Sequence, residues 1–429
     1  MPATNRFREA TMTRLLATFA ALTLLIGTSS SACAQARTLP TSRMLARFGL
    51  ERAWWSQATL DVRQDRVRYM VLDEEALYVQ SSGGITTAFD SETGQKRWAV
   101  QLGRHGLPSQ ACVSNDDRVL VINGTTLYAI EKLSGDLIWK LALPNSPSTS
   151  PSVDSRRLYY GTLDGSIYAF DLRKIEELHN DNLLPQWTNV ALLWRYKSAG
   201  EITSAISNEL TLNFASRDNS LYALTASDRT MQWQFETDQP VSAPLGHSPG
   251  FIYLASEDFN VFCIQQNTGS VRWQFVAGLP IRKEVRVVGD NVYVFPHLGG
   301  LYCLSRITGQ RRWWKPNYED YIGSTRNLLF VTDSLGQVAV LSPEDGATIG
   351  SLPLKDFPLR YGNELTDRIY LATKTGLVVC IREQGKEFPT YHMFPERQPI
   401  LPEFASDDEA AADDPDAAGA DDSSDGSGF

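Results

Sequence analysis

The side chains able to do chemistry in this 429-residue sequence are few and scattered. His105, His179, His247, His297 and His392 share no spacing that would bracket a zinc ion or complete a nucleophile and base, so they read as structural or surface residues. No glycine-rich loop follows a strand pattern and opens a helix pattern, which leaves nucleotide binding without support. Cys112, Cys263, Cys303 and Cys380 form no Cys-x-x-Cys-His haem run. Asp90, Asp171, Asp258 and Asp333 stand at turn positions and read as turn and cap residues rather than calcium ligands. The charged run with a site-like pattern is Arg282-Lys283-Glu284-Val285-Arg286. On an extended strand Arg282, Glu284 and Arg286 share one face, a local positive site suited to a carboxylate or an acidic peptide.

The elements that would position these residues follow from an internal repeat. A pattern of apolar, aromatic, small and apolar residues, then Thr/Ser-Gly, then Trp four residues after the Gly, recurs along the chain. Its copies include Thr87 to Asp90 with Gly94 and Trp98, Leu127 to Ile130 with Gly135 and Trp139, Val261 to Ile264 with Gly269 and Trp273, and Leu301 to Leu304 with Gly309 and Trp313. Trp194 and Trp233 belong to copies with degenerate turns, and the seventh unit has Gly350 where Trp is expected. Successive Trp spacings of 41, 55, 39, 40 and 40 residues are the period of a propeller blade. Each unit holds four short strands, and a single unit cannot bury both of its faces. The Gly suits a tight turn with positive φ, and the Trp covers the seam to the next blade. Cys263, Cys303 and Cys380 take the small position held elsewhere by Ala88, Ala129, Ala169, Ala223 and Ala339, so they are expected to be separate buried thiols.

The expected fold is all-β, an eight-bladed propeller of four-stranded antiparallel blades, with seven blades as the alternative. Glu51 to Leu60 has the pattern of an outer strand without a blade of its own. Pairing it with the last unit would close the ring and remove exposed sheet edges.

Residues 1-36 read as a secretory signal peptide: Arg6, Arg8 and Arg14, then the apolar run Leu15 to Gly27, then Ala34-Gln35-Ala36. Translation could start at Met1 or Met12, and lipidation of Cys33 is the alternative to cleavage after Ala36. Residues 37-50 are read as a linker, 51-400 as the propeller and 401-429 as an acidic tail expected to be disordered. The net charge of -10 is concentrated in that tail, so the body carries no basic footprint and nucleic acid is not an expected partner.

The signature AFDSETGQKRW at residues 88-98 and its copies resemble the pyrroloquinoline-quinone-like (PQQ-like) β-propeller repeat over about residues 50-385. The branch most similar is the BamB family of outer-membrane protein assembly factors. That resemblance implies an exported scaffold, a monomer in the periplasm or cell envelope, anchored to the membrane if Cys33 is lipidated, that binds envelope or outer-membrane proteins. The quinone pocket of related dehydrogenases uses adjacent cysteines, which this sequence lacks, so no catalytic, cofactor-binding or metal-ligating residue is nominated. A periplasmic quinone-dependent oxidoreductase and a small-molecule-sensing propeller are the alternatives. Besides Arg282, Glu284 and Arg286, the candidate partner-binding residues are Leu183, Leu184 and Trp187. They lie in an insertion of LRKIEELHNDNLLPQWTNVALL between Asp171 and Trp194, because insertions in repeat proteins form loops on one face. Such a loop is expected to be removable without loss of stability.

Overall fold

The computed structural model describes residues 39-184 and 186-396. The segment read as a signal peptide, Cys33 and the segment read as an acidic tail lie outside them. Eight four-stranded antiparallel sheets follow one another along the chain. Blade 1 is Val67–Leu72, Ala76–Ser81, Ile85–Asp90 and Lys96–Gln101. The first strands of neighbouring blades touch one another, which makes them the inner wall of the ring. The fourth strands form the rim and alternate between buried and exposed residues, as a half-wetted strand must.

Blade 8 closes the ring. Its inner strands are Leu359–Arg360, Ile369–Ala372 and Leu377–Glu383, and its outermost strand is Leu50–Gln57 from the other end of the chain. Leu50 pairs with Glu383 and Gln57 with Leu377.

The repeat motif resolves into a three-strand sandwich. In blades 1, 3, 5, 6 and 8 a Tyr on the second strand and a Trp on the fourth flank one small residue on the third: Tyr78, Ala88 and Trp98, or Tyr253, Cys263 and Trp273. The two rings approach to 5.9 Å over that residue, so only Ala or Cys fits beneath them. This is why Cys263, Cys303 and Cys380 occur where they do, each buried and free; Cys112 is likewise buried and free. Burial pushes the Cys263 thiol up to about 11, so it behaves as a small apolar group.

Each Trp then reaches across the seam. The Trp98 indole donates to the Lys132 carbonyl of blade 2 at 2.9 Å, and Trp273 repeats the bond to Arg306 at 2.9 Å. Gly135 lies beneath Trp98 with φ +80, and a Cβ there would stand 2.5 Å from the ring. Both the left-handed backbone and the close approach require glycine. In blade 4 the matching turn position is Arg229, which takes φ +60 without that freedom.

Blade 7 departs from the pattern. Val340, not Ala339, occupies the small position, paired with Phe330 on one side and Gly350 on the other. The space left by the missing Trp is taken by Phe48, whose ring would lie 2.7 Å from a Cβ on Gly350. The segment read as a linker therefore packs on the fold: its helix Ser42–Ala46 buries Leu45 in the core between blades 7 and 8.

Blade 4 has Asn213 where five blades have Tyr. Its amide is fully buried, and neither its oxygen nor its nitrogen has a hydrogen-bond partner. Asn213→Leu, copying Leu120 of blade 2, is expected to stabilise the protein by about 1–3 kcal/mol, the cost of leaving buried polar groups unpaired. A urea midpoint unchanged or lowered by the substitution would show that ordered water already satisfies the amide.

Candidate functional site

The insertion in blade 3 begins where its third strand, Ser166–Asp171, ends. In other blades this point is a tight turn. Here Asp171 caps a helix, Leu172–Asn180, its carboxylate accepting from the N–H groups of Arg173 at 2.9 Å and Lys174 at 3.2 Å. Leu172, Ile175 and Leu178 recur on one face and are buried with Trp139, Leu143 and Phe170. Arg118 of blade 2 pairs with Glu176 and pins the helix to the neighbouring blade.

The helix has a local consequence. By the pattern of the other seams, Trp139 would donate to the carbonyl following Asp171. That carbonyl now opens a helix, and the buried Trp139 indole N–H is left without a partner.

After the helix the chain reverses through Asn182 at φ +56 and enters a short 3-10 turn, Thr188–Ala191. Ala191 is fully buried and Leu184 packs on the same core as the helix. Leu183 and Trp187 face outward, Trp187 with 52% of its surface exposed. Val190 and Leu193 join them as exposed apolar residues. Of the candidates Leu183, Leu184 and Trp187, Leu184 is half-buried against the core, so the exposed apolar residues here are Leu183, Trp187, Val190 and Leu193. No periodicity marks Val190 and Leu193 in the sequence, since Val190 sits in the 3-10 turn and Leu193 on the fourth strand. The insertion as a removable loop is also corrected, because its helix is part of the core.

Arg282, Glu284 and Arg286 do not share a strand face. The inner strand of blade 6 begins only at Arg286. Arg282 turns to Glu257 of blade 5 at 3.1 Å, and Lys283 to Asp320 at 3.2 Å. Arg286 is held by Glu284 at 3.0 Å and by Glu364 at 3.0 Å. The expected positive site is therefore neutralised by carboxylates that the local sequence does not reveal, Glu364 lying 78 residues away.

The remaining candidates serve the fold. Asp90 accepts from the N–H of Thr93 at 2.9 Å, Asp258 from that of Asn260 at 3.0 Å and Asp333 from that of Gln337 at 2.7 Å. His105 contacts Asp65 at 2.8 Å, and the described histidines, cysteines and carboxylates form no cluster of three able to hold a metal.

A family model described as outer membrane protein assembly factor BamB matches residues 81-188 and 186-325. The crystal structure of BamB from Moraxella catarrhalis is similar with a TM-score of 0.59 at 16% identity, over 78% of this chain and 98% of that one. The computationally designed Ika8 protein is similar with a TM-score of 0.58 at 13% identity, over 76% of this chain and 99% of that one. At such identities the two structures speak for the fold alone. No curated protein sequence matches.

Proposed function

This chain belongs to the outer membrane protein assembly factor BamB family, and from that premise we propose that it is an exported, non-catalytic scaffold that binds proteins of the bacterial envelope during outer-membrane protein assembly. The observation that carries the reading is the set of exposed apolar residues Leu183, Trp187 and Val190 on the blade 3 insertion, followed by Leu193 at the start of its fourth strand. The repeat tryptophans Trp54, Trp98, Trp139, Trp194, Trp273 and Trp313 are buried in seams, whereas Trp187 lies outside the repeat on a turn whose neighbours Leu184 and Ala191 pack on the core under the helix. A large aromatic side chain has few torsions to lose on binding, and exposed ones anchor protein interfaces. The signal-like pattern of residues 1-36 and the family support the envelope as the place of action.

The helix half of the insertion must stay in any test, since removing Leu172, Ile175 and Leu178 would open the core. Trp187→Ser paired with Leu183→Ser changes only outward side chains and is expected to leave stability within about 0.5 kcal/mol of the parent. In-cell crosslinking followed by mass spectrometry should recover outer-membrane barrel-assembly proteins with the parent chain and lose them with the double variant. Recovery that the substitutions do not alter would remove the insertion as the docking site. Parent chain that captures no assembly protein would overturn the scaffold reading itself.

A further inference from the structure

The ring is closed at blade 8 by more than strand pairing. The connection between the first two strands of that blade, residues 361-368, leaves its own sheet and crosses the inner strand of blade 7. The Asn363 N–H donates to the Ile322 carbonyl at 2.9 Å, and the Tyr321 hydroxyl donates to the Asn363 carbonyl at 2.9 Å. Beyond blade 7 the Glu364 carboxylate meets Arg286 of blade 6. Gly362 lets the backbone lie against the guanidinium, for a Cβ there would be 3.1 Å from Arg286 Cζ. The Asn363 side chain holds the turn, its oxygen accepting from the N–H groups of Leu365 at 3.0 Å and Thr366 at 3.2 Å.

We propose that residues 361-366 form a proton-operated clasp on the closing blade, tied down when Glu364 is protonated and loosened when it ionises. Two carboxylates, Glu284 and Glu364, share one guanidinium in a crowded inner wall, so the site has room for one negative charge more readily than for two. The groups facing it are Glu284 and Arg286 of blade 6 with the Val287 backbone N–H, Asp320 and Tyr321 of blade 7, and Tyr361 of its own blade. His247 of blade 5, exposed on its short strand, also faces Glu284.

Burial pushes Glu364 up to about 7, Arg286 pulling back and Glu284 adding to the rise. With the clasp open the carboxyl is in water and returns to its ordinary value of 4.5. The closed state therefore binds the proton more tightly than the open one. Its advantage is complete below the ordinary value and is lost as pH rises through the closed-state value. The same sign makes the closing blade firmer in acid, where most carboxylate pairs weaken.

Amide hydrogen exchange of the mature chain, corrected for intrinsic rates, tests this between pH 5 and pH 8. The open population of residues 361-366 is expected to rise at least about tenfold over that interval, a slope that Glu364→Gln abolishes. Glu284→Gln removes the neighbouring charge and should move the midpoint to lower pH, which keeps the test decisive if the first variant folds poorly. Equal protection at both pH values in the parent chain, or a slope that survives Glu364→Gln, would overturn the proposal.

Discussion

Arg368→Ala is expected to destabilise the protein by about 3–5 kcal/mol, the cost of stripping one partner from a buried ion pair. The Arg368 side chain is fully buried where the last blade meets the first. It pairs with Glu92 of blade 1 at 3.0 Å and with Asp367 at 3.2 Å. Its remaining donors reach the carbonyls of Lys386 at 3.2 Å and Glu387 at 2.9 Å, holding down the chain that leaves blade 8. Alanine would strand two carboxylates and two carbonyls together. Arg368→Met restores most of the volume but not the charge, so it should recover only the packing part of the loss. Burial already pushes Glu92 above the ordinary carboxylate value, with Arg368 opposing the rise. Without Arg368 that rise grows, and the variant's deficit should widen from pH 5 to pH 8 as the stranded Glu92 ionises. Urea denaturation at both pH values measures this; a loss below about 1 kcal/mol would mean that water replaces the guanidinium.

What could be read from the sequence divides along a physical line. The Tyr, small residue and Trp sandwich uses the same side chains in blade after blade, so it writes a period into the chain. The outer-strand pattern of Glu51 to Leu60 belongs to the same repeat, so the closing strand was legible in the sequence. Features that belong to one blade leave no such trace. Phe48 replaces a Trp from outside the period, and nothing near it in sequence points to Gly350. Arg286 was legible as a charge but its second partner, on a connection that crosses a whole blade, was not. The insertion was legible as extra length. Which of its residues face in or out depended on a helix whose buried stripe merges with the core around Trp139.

Trp54→Ala is expected to cost about 3–5 kcal/mol, and to act more on the unfolding rate than the equivalent change elsewhere in the ring. Trp54 lies between Phe89 at 6.3 Å and Tyr370 at 6.1 Å, donates to the Ser91 carbonyl at 2.9 Å and covers Gly94. Trp273, in the seam between blades 5 and 6 and away from both chain ends, makes the corresponding contacts to Tyr253, Arg306 and Gly309, without a counterpart of Phe89. The two alanine variants should therefore match in equilibrium stability. They differ in topology, because Leu50–Gln57 is held in blade 8 by pairing with Leu377–Glu383 and not by a hairpin. A closing strand that peels away exposes two sheet edges at once, while a loosened fourth strand in blade 5 stays tethered on both sides by short connections. Contacts of the closing strand, which span nearly the whole sequence, should form late in folding and break early in unfolding. Stopped-flow unfolding should then place most of the Trp54→Ala loss in a faster unfolding rate, approaching a hundredfold or more, since about 1.4 kcal/mol is tenfold. Trp273→Ala should divide its loss between folding and unfolding. Identical partition in the two variants would show that the ring opens elsewhere, with the seam between blades 7 and 8, where Phe48 stands in for a tryptophan, as the next place to look.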